Sequence, residues 1–379
     1  MTIGFDGYWA VYNSTNRGNL SRNTIMAITH HAPKNKYFIY SDYNTENRHL
    51  TPLLTSANVN LKEPRHGMFT RMWRWGDGMG KDLRRHHVRL YHGMCELLPY
   101  FTRGHHTHWV LSINDLDVKH FPREFGFWER IKKQLSLRHS LRKADSVIVT
   151  SDWGRRDLLA HYPKLNPDKV HVVPPCVSSN FDIDAHEEVK RSLATQHGLP
   201  EKFVLVMGPL NAHKGLLDLV KAIEIIAKDS NIGLVIAGNS TRYYRRVIRP
   251  YLDSHALRDY VHHVKSVHSA DLPILYQLSM AMICPARKQY YSLSMLEAMS
   301  SGVPVIVPAG TAQAEMAGQA ALVVDGNSPK DWAEAIKRLD ADDALRSQLI
   351  DAGRQCAAKH SSEATAQAIE RCYNEILNN

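Results

Sequence analysis

One carboxylate, Glu297, stands inside an otherwise apolar run, SLSMLEAMSSGVPVIVP, over residues 292–308. Leu293, Leu296 and Met299 recur at helical spacing, and Gly302 gives the helix an end that tolerates positive φ. Val303, Val305 and Ile306 then begin a short β-branched strand. A carboxylate buried in such a helix is costly unless something hydrogen-bonds it, and ligand hydroxyl groups would do so. The start of the helix, around Ser292, Leu293 and Ser294, would present backbone N–H groups that favour a phosphate. Upstream, GPLNAHKG at 208–215 joins a strand pattern to a helix pattern. Such a loop can offer Gly208, further backbone N–H groups and the Lys214 ammonium to phosphates. It lacks the ending and spacing of a Walker A loop. Gly238 and Asn239 close the next strand, where a glycine permits close backbone approach to a ligand. Each segment also has a plain reading: a core turn, a loop with a solvated lysine, a simple strand end.

These residues need a scaffold of strands ending at one edge. In the first half the apolar runs predict strands at 3–6, 37–40, 88–91, 109–113 and 146–149, with helices at 20–31 and 128–142. The second half predicts strands at 203–207, 233–237, 280–284 and 321–324. Its helices are expected at 216–227, 245–254 (kinked or restarted at Pro250), 270–278, 329–339, 344–359 and 362–377. Strand–helix alternation predicts parallel sheets covered by helices on both faces. Pro174-Pro175 lies in a segment, 172–194, that breaks the alternation and reads as a domain junction.

The chain has 379 residues, too many for one ordinary core, and 44% hydrophobic against 22% charged residues is a globular composition. Its five cysteines have no CxxC or metal-ligand spacing, which argues against a disulfide framework or a zinc site. The N-terminal stretch lacks a basic segment followed by an apolar one, so no signal peptide is expected. No run reaches about 18 apolar residues, and the expected location is the cytoplasm. The net charge is +9, and residues 60–142 hold about 16 Lys/Arg against 8 Asp/Glu. Within 65–89, Arg71, Arg74, Lys81, Arg84, Arg85 and Arg89 interleave with Phe69, Trp73 and Trp75. That pattern suits an anionic membrane surface, nucleic acid or a solvated basic face; nucleic acid is the least expected of the three.

The motifs together resemble the two-domain retaining glycosyltransferases of the GT-B fold, family 4. The resemblance runs the length of the chain and is most specific over 200–330. It implies two Rossmann-like α/β/α domains facing an interdomain cleft: 1–178 for the acceptor and 179–361 for a nucleotide-sugar donor. A last helix, 362–379, would cross back to the first domain. In this family a Glu, seven residues and a second Glu precede an Ala-Met helix and a Pro-Val-Ile strand; here Glu297 is the second Glu and Gln289 stands at the first. Gln289 can hydrogen-bond a sugar hydroxyl but cannot supply negative charge to an oxocarbenium-like centre. Lys214 matches the lysine of the diphosphate-binding loop, while Pro209 replaces its usual arginine.

On the acceptor side the resemblance extends to Gly18, in a turn after the first strand, and to His92 in a Tyr-His-Gly strand end. Asn114-Asp115 stands where a His-Asp pair is usual, and Asn cannot act as a base near neutral pH. Ser151 and Arg155 match a strand-Ser-helix segment, although Ser151 is also a good helix cap. The implied chemistry is hexosyl transfer to a glycan or lipid-diphosphate-linked acceptor, with Lys214, Gln289, Glu297 and Asn114 at the reacting centre and no metal or other cofactor. A catalytically impaired sugar-nucleotide-binding protein, or an epimerase or hydrolase on the same fold, remain as alternatives.

Overall fold

The apolar runs form two parallel sheets in a computed structural model that describes residues 1–12, 16–41, 50–62, 77–94, 96–100, 106–208 and 211–378. Two compact units result: Met1–Cys176 joined by Ser361–Asn379, and Val177–His360.

The first unit carries β1 (Thr2–Asp6), β2 (Lys36–Tyr40), β3 (Val59–Lys62), β4 (Leu90–Gly93), β5 (His108–Ile113), β6 (Ser146–Val149) and β7 (Val170–Val172). Their spatial order is β3-β2-β1-β4-β5-β6-β7, with every neighbour parallel. The order reverses between β1 and β4, which leaves a crevice at the carboxyl ends of those two strands. Gly4 faces Tyr91 and Phe5 faces His92 across that junction. All four residues of β4 and of β6 are buried, as a sheet covered on both faces requires. The final helix, Ser362–Asn378, belongs to this unit. Ala366, Ile369, Tyr373 and Ile376 fall on one helical face, and the last three join Ile3, Phe5, Ile25 and Ile28 in the core.

The second unit carries β8 (Phe203–Met207), β9 (Gly233–Ala237), β10 (Val261–Val264), β11 (Ala281–Ile283), β12 (Val305–Pro308) and β13 (Ala321–Val324). The order β10-β9-β8-β11-β12-β13 repeats the same pattern, with the reversal between β8 and β11. Leu216, Leu219, Val220, Ile223 and Ile226 pack one face of the helix Leu216–Ile226 onto these strands.

Three strands were not legible from periodicity: β3, β7 and β10. All three are sheet edges and carry Asn60, Lys62, His171, His262 and His263, whose polarity masks a strand with only one neighbour. The expected helix at 245–254 is a π-helical turn, Tyr244–Ile248, running into Arg249–Ser254. Pro250 lacks an N–H and crowds the preceding turn, and widening that turn relieves it. Cys176, Cys284, Cys356 and Cys372 are buried free thiols, while Cys95 lies outside the described residues. Among the described residues no helix is long and apolar enough to cross a membrane.

Candidate active site

In the second unit the loops after β8, β9 and β11 meet at the carboxyl edge, on either side of the order reversal. Gly208 donates its N–H to the Ala237 carbonyl at 2.7 Å. Gly238, at φ +141°, lies against Gly208 so closely that a Cβ there would come within 3.1 Å of the Gly208 Cα. Gly215, at φ +72°, leaves only 2.8 Å between such a Cβ and the Pro285 carbonyl oxygen. The three loops are therefore packed backbone to backbone. Lys214 ends the single 3₁₀ turn Ala212–Lys214, and Gly215 leads directly into Leu216–Ile226 with no side-chain cap on that helix. Asn239 is exposed beside Gly238. Pro209 lies outside the described residues.

After β11 the chain runs through Gln289 to the helix Leu293–Ser300. Ser292 caps it, its Oγ accepting from the Met295 N–H at 3.3 Å. Helix geometry leaves the Leu293 and Ser294 N–H groups without intrahelical acceptors, a local positive pole. Glu297 follows Leu293 by four residues and so shares its face. It is 4% exposed, and the hydroxyl of the fully buried Tyr276 donates to Oε2 at 2.9 Å. Burial pushes the Glu297 carboxyl up to about 7, the Tyr276 hydrogen bond pulling weakly the other way. The second oxygen, Oε1, takes no hydrogen bond among the described residues, so one acceptor stays available to a ligand hydroxyl.

Gln289 is half-buried, and its Oε1 accepts from Gln313 Nε2 at 3.4 Å. Gln313 is wholly buried and also donates to the Ala286 carbonyl at 3.0 Å. Arg287 pairs with Asp218, at the start of the lysine-loop helix, and donates to the Gly326 carbonyl at 2.6 Å. Tyr276, Gln313 and Arg287 were not singled out from sequence. Their signal is weak, because each is a common residue in an ordinary helix or loop.

In the first unit the corresponding edge gathers a different set. Arg17 forms ion pairs with Asp115 and, at 3.2 Å, with Asp117, and its guanidinium lies 5.4 Å from the Trp9 ring centre. Asn114 is buried, with Nδ2 donating to the Met94 carbonyl at 3.2 Å and its backbone N–H donating to Glu96 at 3.4 Å. Glu96 holds a left-handed backbone, φ +62°. Burial, then the neighbouring Asp115 charge, raises its carboxyl above the usual range, against the pull of Arg17. A small cavity beside this cluster is lined by Ser21, Thr24, His92, Ser112, Asn114 and Thr150. The rest of its wall is apolar, from Leu20, Met94, Ile148, Val173, Pro174, Pro175 and Ile369, and the space is about that of one water molecule.

Several expected residues take other roles. Gly18 is in no turn: the helix begins at Asn16, earlier than the apolar pattern suggested, and Gly18 is buried in its first turn. His92 is fully enclosed, Nδ1 against the Tyr373 hydroxyl at 2.8 Å and Nε2 against Ser112 Oγ at 2.7 Å. With both nitrogens engaged it ties the sheet to the final helix, and burial drives its pKa down to about 3. Ser151 caps Asp152–His161 by accepting from the Gly154 N–H at 3.0 Å. Arg155 donates to the Val170 and Pro167 carbonyls, both at 3.2 Å, and so braces β7. Of the basic stretch at 65–89, residues 65–76 with their aromatic members lie outside the described residues, and Asp77–Arg85 is a helix. Among the described residues His120, Asp157 and His161 converge as metal-ligand types do. Internal hydrogen bonds account for them, at 2.8 Å from His120 to the Asp157 carboxylate and 2.9 Å from His161 to its carbonyl.

Comparison with known proteins bears on this geometry. The family of glycosyl transferases group 1 matches residues 190–356, and Glycosyltransferase Family 4 matches residues 45–181. The D-inositol 3-phosphate glycosyltransferase of Corynebacterium glutamicum is 26% identical over 245 residues, covering 62% of this chain; the chain spans about 58% of that relative's length. The O-antigen chain mannosyltransferase B of Escherichia coli is 24% identical over 303 residues, 78% of this chain and 75% of the relative. In fold, the sucrose-phosphate synthase of Thermosynechococcus elongatus superposes with a TM-score of 0.78 at 18% identity, covering 100% of this chain and 99% of that one. Two reversed-order parallel sheets, a returning final helix and family matches in both units converge, and the chain belongs to the GT-B glycosyltransferases of family 4.

Proposed function

We propose that the protein is a retaining, metal-independent glycosyltransferase. It moves a hexose of the mannose, rhamnose, glucose or galactose type from a nucleotide-diphosphate sugar to a hydroxyl of a glycan or lipid-linked acceptor, in the making of a cell-surface polysaccharide. The observation that carries this reading is the second unit's edge. There the Lys214 loop, the positive start of Leu293–Ser300 and the half-satisfied Glu297 flank one strand-order reversal. Glu297 Oε1 accepts from ribose hydroxyls. Lys214 and the Leu293 and Ser294 N–H groups receive the diphosphate, whose negative charge grows as the sugar–phosphate bond breaks. The acceptor oxygen bonds to the anomeric carbon on the same face, and its proton passes to the departing phosphate oxygen. No protein base is then required, which accommodates Asn114. The acceptor is held in the first unit, at the edge where Arg17 pairs with Asp115. The curated relatives named above, a transferase to an inositol phosphate and an O-antigen mannosyltransferase, support a phosphorylated or glycan acceptor.

Gln289 favours a second reading, a protein that binds the donor without transferring it. Its amide oxygen already accepts from Gln313, and it carries no charge to offset an oxocarbenium-like centre. Labelled sugar transfer to a bacterial lipid extract, with the product's anomeric configuration read by NMR, separates the two. Product of the donor's own configuration supports the transferase; inverted product refutes retention; binding without product leaves the second reading.

A further inference from the structure

Among the described residues the three most exposed large apolar side chains all lie on one helix, Phe127–Lys143 of the first unit: Trp128 at 78%, Phe127 at 60% and Leu135 at 57%. The helix has its own packed face. Leu137, Ser140 and Leu141 are buried, so the outward apolar groups are surplus to what holds it on the unit. At 100° per residue Trp128, Lys132, Leu135 and Arg142 fall in one stripe opposite that buried face, with Arg138 on its flank. Phe127 and Trp128 touch edge to face, ring centres 5.3 Å apart, and form an aromatic tip at the helix start. The helix holds six Lys/Arg against one Glu.

We propose that this helix docks the protein on an anionic lipid bilayer, lying along the surface with Phe127, Trp128 and Leu135 sunk among the headgroups and acyl chains. Lys132, Arg138 and Arg142 then meet lipid phosphates. A nucleic acid would use the same cations, but it has no place for two exposed apolar side chains, Trp128 and Leu135, about two turns apart on one helix face. A bilayer takes both, since an amphipathic surface helix binds by buried apolar area together with attraction to anionic lipid. Tryptophan suits the interface between headgroups and chains because its ring is apolar and its N–H is polar. The inference extends the transferase reading by supplying the surface at which a lipid-linked acceptor is met. Its test requires no turnover, so either can fail alone.

The test is flotation of the full chain with vesicles of equal parts phosphatidylglycerol and phosphatidylcholine, and with phosphatidylcholine vesicles. Two variants are compared: Trp128→Ser with Leu135→Ser, and Lys132→Gln with Arg138→Gln and Arg142→Gln. These side chains project outward, so both variants are expected to melt as the wild type does. The wild type should float with the anionic vesicles. The apolar variant should partition at least about tenfold less, and the basic variant roughly 100-fold less. No flotation of the wild type, or flotation that both variants retain, overturns the proposal. So does retention of single-stranded RNA that the basic variant alone abolishes while vesicles are ignored.

Discussion

If Glu297 holds the donor as proposed, donor affinity should depend on pH through the raised pKa of its carboxyl. Burial lifts its pKa from 4.5 to about 7. If ribose hydroxyls donate to Oε1, binding favours the carboxylate, and the neutral form must lose its proton first. Apparent affinity is then reduced by one plus the ratio of neutral to charged enzyme. That factor is about 11 at pH 6 and about 1.1 at pH 8, so affinity should rise about tenfold, or ~1.4 kcal/mol, between them. The assay is calorimetric titration with the nucleotide-diphosphate sugar that most raises the melting temperature. Its diphosphate diester does not titrate in this range. Repeating the titration in buffers of different ionisation enthalpy counts the protons released, and a release near one per donor at pH 6 is expected. Glu297→Gln should bind more weakly than the wild type at pH 8 and with a flat profile. A wild-type profile that is also flat, or one that Glu297→Gln reproduces, refutes the assignment of Glu297 to the ligand.

Removing the Lys214 charge by Lys214→Ala should weaken donor binding by about 1.5–3 kcal/mol, read by the same titration, with little change in melting temperature. Tyr276→Phe strips the hydroxyl donor from Glu297 Oε2 and should destabilise the protein more at pH 8 than at pH 6. Urea unfolding at the two pH values checks this, and equal losses count against it. Because its folded pKa is raised, Glu297 contributes stability that is full below about pH 4.5 and is lost as pH rises through about 7, on the order of 3 kcal/mol. His92 acts in the opposite sense: its folded pKa is depressed, so its contribution is present above about pH 6.5 and is lost toward pH 3. His92→Leu, which also orphans the Tyr373 hydroxyl, should cost roughly 2–4 kcal/mol in urea unfolding near neutral pH and flatten the acid limb. Gly238→Ala should cost roughly 1–3 kcal/mol, since φ +141° and the 3.1 Å approach to Gly208 both exclude a Cβ.

The central strands and the long helices could be read from sequence because each is dense in one signal: β1, β2, β6, β8 and β9 in β-branched and aromatic residues, and the final helix in its 3.6-residue period. The edge strands β3, β7 and β10 could not, because each is short and carries polar residues at half-buried positions, unlike the all-apolar edge strand β13. The loops at the second unit's carboxyl edge were legible where a special backbone is required, as at Gly215 and Gly238, and so was the capped helix that carries Glu297. Their supporting residues were not. Tyr276 reaches Glu297 from another helix, and Gln313 reaches Gln289 from beyond β12; such partners are set by tertiary packing and leave no local trace. The first unit was harder for the same reason. Arg17 and Glu96 come to Asp115 and Asn114 from distant segments. His92, Ser151 and Arg155, singled out by motif, use their polar atoms to hold the fold.

The most direct test of the account is to incubate the protein with UDP-, GDP- and dTDP-sugars and record melting temperature and nucleotide release together, beside Lys214→Ala. The account predicts that one donor raises the melting temperature, that its nucleotide is released slowly alone and faster with a lipid or glycan acceptor, and that Lys214→Ala loses both effects. A protein that no nucleotide sugar stabilises, or a donor response unchanged in Lys214→Ala, would contradict it.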